Sequence, residues 1–390
     1  MRAQLAQLIF RHAIGRLPVT VELPDGCRLG RGGPVMVLHR PDDFFARLAD
    51  DGLIGFGEAY MAGDFDSDEL GAFLTELCRE LPSLVPQWLQ RLRRFYVARP
   101  PHGEANTVRQ TRGNIARHYD LSNDMFATFL DESMSYSSAL FADLARPEPL
   151  VVAQQRKIDR LLDVAGVGEG TRVLEIGTGW GELAVRAAGR GAVVHSVTLS
   201  SEQRALAQRR VANAGFSDRV RIELCDYRDI APEPHGYDAI VSVEMIEAVG
   251  HEYWPTYFTA LDALLAPDGK IALQAITMPH DRMLATRHTY TWINKYIFPG
   301  GFLPSTEAIT SVVREHTGLE IQQRLSMGPH YARTLREWDA RFAAAHDELA
   351  GLGFDHVFER MWHFYLCYST AGFASGYLDV QQLQLARRSR

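Results

Sequence analysis

The sequence has 390 residues, a formal net charge of −7 and an apolar fraction of 46%. This length predicts one large domain with a smaller one, and the apolar fraction is sufficient for a sizeable core. The negative charge gives no indication of a nucleic-acid partner, and no apolar run reaches the roughly 18 residues that a membrane-spanning helix needs. The four cysteines follow neither a metal-ligand spacing nor a disulfide framework, which predicts reduced thiols in a cytoplasmic protein without a metal site.

Residues 1–96 are predicted to form a small α+β domain. An amphipathic helical pattern over residues 1–16 is followed by short alternating runs that predict strands. The run 86–99 places aromatic and leucine side chains on one helical face and carries four arginines. It is either a membrane-surface helix attracted to anionic lipid or a solvated basic helix docked on its own domain. Residues 97–112, which contain a Pro-Pro-His-Gly stretch, are predicted to be a linker.

A polar segment with several aromatic residues follows at 114–141. Asp120 or Ser122 is suited to cap the helix that comes next. Such a segment, placed directly before a nucleotide-binding domain, can fold over the site as a lid. Ordinary helical packing is the alternative, and both interpretations stay open at this stage.

The most informative stretch is 171–182, Thr-Arg-Val-Leu-Glu-Ile-Gly-Thr-Gly-Trp-Gly-Glu. It predicts a buried strand, a glycine turn and then a helix, an order that lets a nucleotide-like ligand approach backbone N–H groups. The G-x-G-x-G spacing differs from the dinucleotide fingerprint, and no P-loop lysine follows. With Glu175 just before the turn, the stretch resembles the first motif of class I S-adenosylmethionine (SAM) methyltransferases. A turn in an unspecialised α/β protein is the alternative.

The strand and helix patterns alternate from residue 171 to residue 276. They predict an α/β fold, a Rossmann-like doubly wound sheet of the class I SAM methyltransferase type, next to the small N-terminal α+β domain. Ligands bind such sheets at the carboxyl ends of the strands. There the second strand offers Thr198 and Gln203 for a ribose, in place of the usual acidic residue. The third strand ends in Asp226, which either accepts a hydrogen bond from an adenine amino group or forms a turn.

The fourth predicted strand leads into an acidic pair, Glu244 and Glu247. Residues three apart share one face of a helix. Because this helix starts at the carboxyl end of a central strand, we interpret the pair as part of the site, with surface glutamates as the alternative. The aromatic stretch at 277–304 then interrupts the alternation and forms either plain core or the wall of an apolar tunnel for a long chain.

Sequence blocks along nearly the whole chain resemble the cyclopropane-fatty-acid synthase family of SAM-dependent lipid methyltransferases. These blocks are Gly55–Met61, Asn114–Ile115, His118–Asn123, Tyr136–Ser137, Glu175–Gly181, Thr198–Ser200 with Gln203, Asp226–Asp229, Lys295–Gly301 and His330–Leu335. The resemblance implies that residues 113–390 are the methyltransferase domain, with 277–304 as its acyl-chain insertion. It implies that residues 1–96 present lipid or mediate dimerisation.

The same resemblance implies that SAM methylates a cis double bond in a phospholipid acyl chain. The residues assigned to SAM binding are Tyr136, Ser137, Glu175, Gly177, Thr178, Gly179, Trp180, Gly181, Thr198, Leu199, Ser200, Gln203, Asp226, Tyr227, Arg228 and Glu244. The implied partners are a phospholipid bilayer surface, a second copy of the chain in a homodimer, and no nucleic acid. The implied location is the cytoplasm, peripheral to the inner face of the membrane.

The family uses a bicarbonate ion as its base, held by a cysteine, a glutamate, a histidine, an isoleucine backbone and a tyrosine. Glu247, Ile276 and Tyr331 match three of these positions, whereas Ser138 stands in place of the cysteine and Gln274 in place of the histidine. These five are the candidate catalytic residues. The two replacements count against bicarbonate but leave methyl transfer unaffected.

Three further blocks, Val243–Gly250, Gln274–Pro279 and Ser375–Val380, resemble the actinobacterial branch that makes tuberculostearate-type chains. That resemblance implies a 10-methylene product, which a separate reductase then saturates. Our hypothesis is that Glu247, alone or through a weakly held bicarbonate, is the base, and that Gln274 favours the methylene product. An ordinary cyclopropane synthase, a lipid- or SAM-binding protein without turnover and a small-molecule methyltransferase are the alternatives.

Overall fold

The computed structural model of the chain describes residues 2–80 and 122–388. The predicted basic helix at 86–99, the linker at 97–112 and the sequence block from Asn114 to Leu121 lie outside these ranges. The described residues divide by their internal contacts into two units. The first unit contains residues 2–80, 288–297 and 335–377, and the second contains residues 122–287, 298–334 and 378–388. Residues 288–297 and 335–377 thus cluster with the N-terminal residues, although they fall within the range predicted for the methyltransferase domain.

Helices and strands alternate through most of the described chain. The helices are α1 (Arg2–Ile14), α2 (Pro41–Asp51), α3 (Leu53–Met61), α4 (Leu70–Arg79), α5 (Asn123–Ala127), α6 (Leu150–Val164), α7 (Glu182–Gly189), α8 (Ser201–Asn213), α9 (Ile246–Val249), α10 (Trp254–Leu264), α11 (His280–Thr286), α12 (Trp292–Tyr296), α13 (Thr306–His316), α14 (Gly328–Ala344), α15 (His346–Gly351) and α16 (His356–Ala374). The strands are β1 (Thr20–Glu22), β2 (Arg28–Gly30), β3 (Val35–Leu38), β4 (Phe65–Asp66), β5 (Arg172–Ile176), β6 (Val193–Thr198), β7 (Val220–Leu224), β8 (Tyr237–Val243), β9 (Leu265–Thr277), β10 (Leu319–Ser326) and β11 (Asp379–Arg387). Two short 3-10 turns cover Tyr227–Asp229 and His251–Tyr253.

The first unit is an α+β structure with a four-stranded sheet in the order β2-β1-β3-β4. Its core is rich in phenylalanine, and Phe44 packs edge-on against both Phe56 and Phe65. Trp292 is 3% exposed, and a Cβ atom on Gly57 would lie 2.5 Å from its ring. This part of the predicted aromatic insertion therefore packs as core within its own unit.

The second unit is built on a seven-stranded sheet in the order β10-β11-β9-β8-β5-β6-β7. The strands from β9 through β8, β5 and β6 to β7 are parallel, and β11 pairs antiparallel with both β9 and β10. The central strand β5 reads Arg-Val-Leu-Glu-Ile and is buried beyond its first residue. Strands of this kind need apolar cover on both faces of the sheet.

Two apolar clusters supply this cover. One contains Leu174, Ile240 and the buried residues of α10, and the other contains Val173, Val241 and the alanines of α7. Because neighbouring residues of a strand point to opposite faces, each of these strands contributes to both clusters. The predicted doubly wound α/β fold is thereby confirmed.

The described helices include none that is both long and apolar enough to cross a bilayer.

Candidate active site at the carboxyl edge of the parallel strands

Three glycines shape the turn between β5 and α7. Gly177, Gly179 and Gly181 have backbone φ angles of 96°, 51° and 93°, in the left-handed region that favours glycine. A Cβ atom on Gly177 would lie 2.7 Å from the side chain of Met245, whereas no atom lies within 4 Å of a Cβ built on Gly179. The turn is therefore closed against the protein at Gly177 and open at Gly179, where a ligand can approach the backbone.

A buried hydrogen-bond chain joins this turn to the neighbouring strand. Ser196 Oγ lies 2.5 Å from Glu175 Oε2 and 2.7 Å from Thr178 Oγ1, within hydrogen-bonding distance of both. Burial raises the pKa of Glu175 to about 8. The predicted ligand residue Glu175 thus ties β5, β6 and the turn together as a largely protonated carboxyl group near neutral pH.

The end of β6 brings the predicted ribose-binding residues together. Thr198 Oγ1 donates to Gln203 Oε1 at 2.9 Å and accepts a hydrogen bond from the Ser200 N–H at 3.2 Å. Ser200 caps α8, because its Oγ accepts from the Gln203 N–H. Leu199 lies between these polar groups and is partly exposed.

At the end of β7, Asp226 is buried and paired with a residue two positions further on. Its carboxylate accepts hydrogen bonds from the Arg228 main-chain N–H at 3.0 Å and from the Arg228 guanidinium at 2.8 and 2.6 Å. The pairing holds the Asp226 carboxylate at the end of the strand, where an adenine amino group is expected. The Tyr227 hydroxyl is buried and has no hydrogen-bond partner among the described residues, which makes it a further polar group available to a ligand.

The segment before α6 contributes aromatic packing at the same edge. The ring centroid of Phe126 lies 5.1 Å from that of Tyr136 and 5.0 Å from that of Trp180. Trp180 Nε1 donates to Asn123 Oδ1 at 2.7 Å, so the indole is held by α5. Tyr136 and Trp180 thus both pack against one phenylalanine, and Ser137 follows Tyr136 directly.

Two buried polar residues of α6 also act on this segment, and the sequence analysis missed them. Lys157 is 2% exposed and its Nζ donates to Ser137 Oγ at 2.6 Å, while Gln154 Nε2 donates to the Ser137 carbonyl at 2.8 Å. Burial lowers the pKa of Lys157 to about 8, and the nearby carboxylate of Glu244 opposes that shift. A lysine and a glutamine on the apolar face of an amphipathic helix were the signal that could have revealed them.

Glu244, directly after β8, is one of two non-glycine residues in the described ranges with a positive φ, at 51°. Its Oε1 accepts hydrogen bonds from the Ser138 N–H at 3.0 Å and from Gln274 Nε2 at 2.8 Å. Its Oε2 accepts from the Tyr331 hydroxyl at 2.8 Å. A glutamate with a left-handed backbone conformation is less stable by about 1–2 kcal/mol. Glu244 adopts this conformation while its carboxylate accepts three hydrogen bonds.

Glu247 lies one turn of helix away, in α9. Its Oε1 accepts a hydrogen bond from the Ile276 N–H at 2.5 Å, whereas its Oε2 is buried without a partner among the described residues. Burial, and secondarily the proximity of Glu244, raise the pKa of Glu247 to about 8. The five residues predicted to be catalytic therefore lie together, and Glu244, predicted to bind SAM, joins them.

The glycine turn and the strand ends around it fit SAM. Gly179 offers open space beside backbone N–H groups, and the partnerless Tyr227 hydroxyl lies next to Asp226, the residue predicted to contact adenine. Thr198 and Gln203 stand at the strand between them, in the position where open α/β sheets bind ribose. The residues assigned to SAM at the ends of β5, β6 and β7 thus follow neighbouring strands of the sheet.

A separate bicarbonate ion does not fit the residues expected to hold it. The donors at the Ser138, Gln274 and Tyr331 positions bond the Glu244 carboxylate, and the Ile276 N–H bonds Glu247. A second anion placed there would meet two carboxylates and no free donor among these groups. The chain supplies its own carboxylate where the related enzymes are expected to bind an external one.

Comparisons with known proteins agree with this geometry. Residues 106–383 match the family model described as mycolic acid cyclopropane synthetase. The chain is 56% identical to a tuberculostearic acid methyltransferase of Mycobacterium tuberculosis, over 99% of this chain and 91% of that protein. It is 34% identical to the cyclopropane-fatty-acyl-phospholipid synthase of Escherichia coli, over 93% of this chain and 90% of that protein.

Solved structures of related enzymes share the fold. The cyclopropane synthase MmaA2 from Mycobacterium tuberculosis superimposes with a TM-score of 0.64 at 32% identity, over 74% of this chain and 99% of that one. Mycolic acid cyclopropane synthase CmaA1, solved with SAH and CTAB, gives the same TM-score and identity over 73% of this chain and 98% of that one. The chain therefore belongs to the mycolic acid cyclopropane synthetase family and is a SAM-dependent methyltransferase.

Proposed function

We propose that this enzyme methylates the cis double bond of an unsaturated, oleoyl-type phospholipid acyl chain and releases a 10-methylene chain. The observation that carries this proposal is the Glu244 carboxylate, which accepts hydrogen bonds from Ser138, Gln274 and Tyr331. It takes the place of the external anion expected in cyclopropane synthases and so leaves proton removal to a neighbouring group of the chain. The name of the relative at 56% identity supports the same product class.

The chemistry requires a base in a dry site. SAM supplies an electrophilic methyl group, and the alkene π electrons form the new C–C bond while the C–S bond breaks onto sulfur. If the resulting cation loses a proton from the new methyl group at once, a cyclopropane ring closes. If a hydride first shifts from the methylated carbon to its neighbour, loss of the same proton leaves an exocyclic methylene. The position of the base relative to the cation therefore decides the product.

We assign the proton acceptor to Glu247. Its Oε2 is buried and partnerless, whereas both oxygens of Glu244 are engaged. A pKa of about 8 suits a general base that works near neutral pH. Glu244, as the adjacent anion, raises the basicity of Glu247. Among the aromatic residues considered from the sequence, Tyr331 and Phe298 belong to the second unit, and they are the groups we propose to stabilise the cation through their ring faces.

Activity is expected to rise with pH through this ionisation. The base works only when it is deprotonated, and its raised pKa places half-maximal kcat near pH 8 on the acid side of the profile. A pH–rate profile measured with saturating substrate checks this. A profile already flat by pH 6 would contradict the assignment of Glu247.

The remaining assignments concern partners and place of action. We propose that residues 1–96 present the lipid or mediate a homodimer, and that residues 113–390 form the methyltransferase domain. The enzyme acts on a phospholipid bilayer surface, peripherally at the inner face of the membrane. A separate reductase saturates the methylene product.

Flotation with anionic vesicles tests the membrane contact, and light scattering of the purified protein tests the dimer.

The product itself is tested with purified enzyme, SAM and dioleoyl phospholipid vesicles. Mass spectrometry of the acyl chains is expected to show the gain of one CH₂ unit, and ozonolysis is expected to give a 10-keto fragment. An ozone-resistant product of the same mass would identify a cyclopropane and overturn the product assignment. No mass gain would indicate a binding protein without turnover.

A Gln274→His variant tests the pocket within the same assay. Histidine restores the residue type expected in the cyclopropane-forming relatives and removes the amide donor to Glu244. The expected result is a larger cyclopropane share, read from the ozone-resistant fraction. An unchanged product ratio would count against a role for Gln274 in product choice.

A further inference from the structure

Two buried glutamine amides lie in series behind Glu244. Gln274 on β9 and Gln382 on β11 are directly opposite each other in the antiparallel pair, and each is 1% exposed. Gln382 Nε2 donates to Gln274 Oε1 at 3.0 Å, and Gln274 Nε2 donates to Glu244 Oε1 at 2.8 Å. The series begins at α6, where Arg160 donates to Gln382 Oε1 at 2.6 Å.

Every hydrogen-bonding position on the nitrogens of both amides is used. The second N–H of Gln382 donates to the Lys157 carbonyl at 3.2 Å, and the second N–H of Gln274 donates to the Ser138 carbonyl at 3.2 Å. A side-chain amide has two N–H donors and one oxygen, so neither group can rotate by half a turn without losing its partners.

In each hydrogen bond from Arg160 to Glu244, the residue nearer Arg160 is the donor. The guanidinium group of Arg160 agrees with this order. A guanidinium group has donors and no acceptor, so only the oxygen of Gln382 can face Arg160. The nitrogen of Gln382 must then face Gln274, and the nitrogen of Gln274 must face Glu244. Arg160 acts in the same sense as the carbonyls of Lys157 and Ser138, which only accept, and together they fix the orientation of both amides and the kind of group that meets the carboxylate.

We propose that Arg160 and Gln382 are positioning residues that hold Gln274 as a hydrogen-bond donor toward Glu244. This inference rests on the proposed function, in which Glu244 is the built-in anion beside the base Glu247. Reversal of the Gln274 amide would turn its oxygen toward the carboxylate, an arrangement that disfavours the charged form. Glu244 would then take up a proton in preference to Glu247.

Protonation of Glu244 is expected to change the pH dependence of the rate, because Glu244 and Glu247 interact electrostatically. A protonated Glu244 no longer repels charge on Glu247, so Glu247 ionises at lower pH. The titratable groups that act on the two carboxylates from the surrounding elements are Lys157, Tyr257 and Tyr331. None of these is changed by the variants proposed here, so a shift reports on the amide series.

The test compares pH–rate profiles of methyl transfer on dioleoyl phospholipid vesicles for Arg160→Met, Gln382→Met and Glu244→Gln. Each is expected to move the acid limb to lower pH by about one unit, a tenfold change in the ionisation constant. Arg160→Lys keeps a donor for Gln382 Oε1 and is expected to retain the wild-type limb. Gln382→Met breaks the series without changing Arg160, so it serves if Arg160→Met does not fold.

A matched control and a double variant separate this role from a structural one. Arg190→Met removes another arginine that contacts α6, through Asp159 and Asp163, and is expected to leave the profile unchanged. Arg160→Met combined with Glu244→Gln is expected to shift the limb no further than Glu244→Gln alone, because the series acts through the Glu244 charge.

The outcomes distinguish the positioning role of Arg160 and Gln382 from the coupling of Glu244 to Glu247. If Glu244→Gln shifts the limb but Arg160→Met and Gln382→Met lower only the melting temperature, the amide series is structural and the positioning role is overturned. If Glu244→Gln itself leaves the limb unchanged, the proposed coupling of Glu244 to the base fails, and the positioning role fails with it.

Discussion

Two turns follow the neighbouring strands β5 and β8, and both contain residues with a left-handed backbone conformation. The two turns differ in the residue type that adopts this conformation. After β5 the positive φ angles fall on Gly177, Gly179 and Gly181, whereas after β8 one falls on Glu244. Glycine adopts this conformation freely, and glutamate does so at a cost of about 1–2 kcal/mol. The glycine turn gives a ligand access to the backbone, and the glutamate turn delivers a carboxylate to three donors.

The difference indicates what each turn is built to hold. An open space beside Gly179 fits a ligand that arrives from outside, here SAM. At the other turn the acidic group is part of the chain, so it is present whether or not the solution contains bicarbonate. Strain retained at a site is informative when the strained side chain makes contacts that no unstrained residue would make, and Glu244 satisfies that condition.

The largest effect is expected from Glu247→Gln. The amide cannot accept a proton from the cation, and removal of a general base costs about 10²–10⁴ in rate. We expect kcat to fall by that factor while the KM for SAM changes little, as measured by transfer of labelled methyl groups to vesicles. Glu252→Gln, in the adjacent 3-10 turn, is the matched control because Glu252 is exposed and pairs with its neighbour His251. Equal activity of the Glu247→Gln variant and the wild type would remove Glu247 from the mechanism.

A smaller effect is expected at the glycine turn, where two alanine variants separate access from packing. Both residues need a positive φ, so each variant loses about 1 kcal/mol of stability. Gly177→Ala adds a clash with Met245, which raises its total loss to about 2–4 kcal/mol. Gly179→Ala meets no protein atom, and we expect it to raise the KM for SAM about tenfold, equivalent to about 1.4 kcal/mol.

Denaturant unfolding gives the two stability losses, and initial rates at varied SAM give the two KM values. The comparison between the variants is the sensitive part of the experiment. A KM increase confined to Gly177→Ala would mean that the ligand approaches the turn from the other side.

The smallest effect concerns stability, at Glu175. Its pKa is about 8 in the folded protein and near 4.5 in an unfolded chain, so the folded state binds more protons between these values. The stabilisation from that proton is complete below about pH 4.5 and is lost as the pH rises through 8. The melting temperature of Glu175→Gln is therefore expected to fall less between pH 6 and pH 9 than that of the wild type, by about 2–4 °C. Parallel melting curves would contradict a raised pKa at this residue.

The sequence alone predicted the fold and the position of both turns at the edge of the sheet. The strand-glycine-helix order and the strand alternation were sufficient for the doubly wound fold, because both are local patterns with a direct backbone cause. The acidic pair could be placed at the edge of the sheet, because carboxyl ends of parallel strands converge there. Neither inference needed a contact between distant residues.

What escaped prediction depends on contacts between distant parts of the chain. The partners of Glu244 come from positions 138, 274 and 331, and no spacing rule connects them. Gln382 lies in a strand whose inner residues are nearly all buried, where an amide is costly unless it is paired. A buried polar side chain in an apolar stretch was the available signal, both there and at Lys157.

The contacts of the first unit were equally hidden from sequence analysis. Glu58 accepts hydrogen bonds from Lys295 at 2.5 Å and from the Tyr296 hydroxyl at 2.7 Å, across more than half the chain. The block Lys295–Gly301 was recognised from the family resemblance and assigned to an acyl-chain insertion. Local patterns could not reveal that its first residues pack with the N-terminal residues.

The measurement that tests the central claim most directly is the dependence of methyl transfer on bicarbonate, in the wild type and in Glu244→Gly. Glycine adopts the φ of 51° without strain and removes the whole side chain with its carboxylate, which leaves room for a bicarbonate ion. In buffer depleted of carbon dioxide we expect full activity from the wild type and, above pH 8, a loss of up to about tenfold from the variant, because Glu247 becomes a weaker base by about one pKa unit once the neighbouring anion is gone. Added bicarbonate should restore the variant, whereas chloride at equal ionic strength should not. Loss of wild-type activity on depletion, restored by bicarbonate, would contradict the claim that Glu244 supplies the anion.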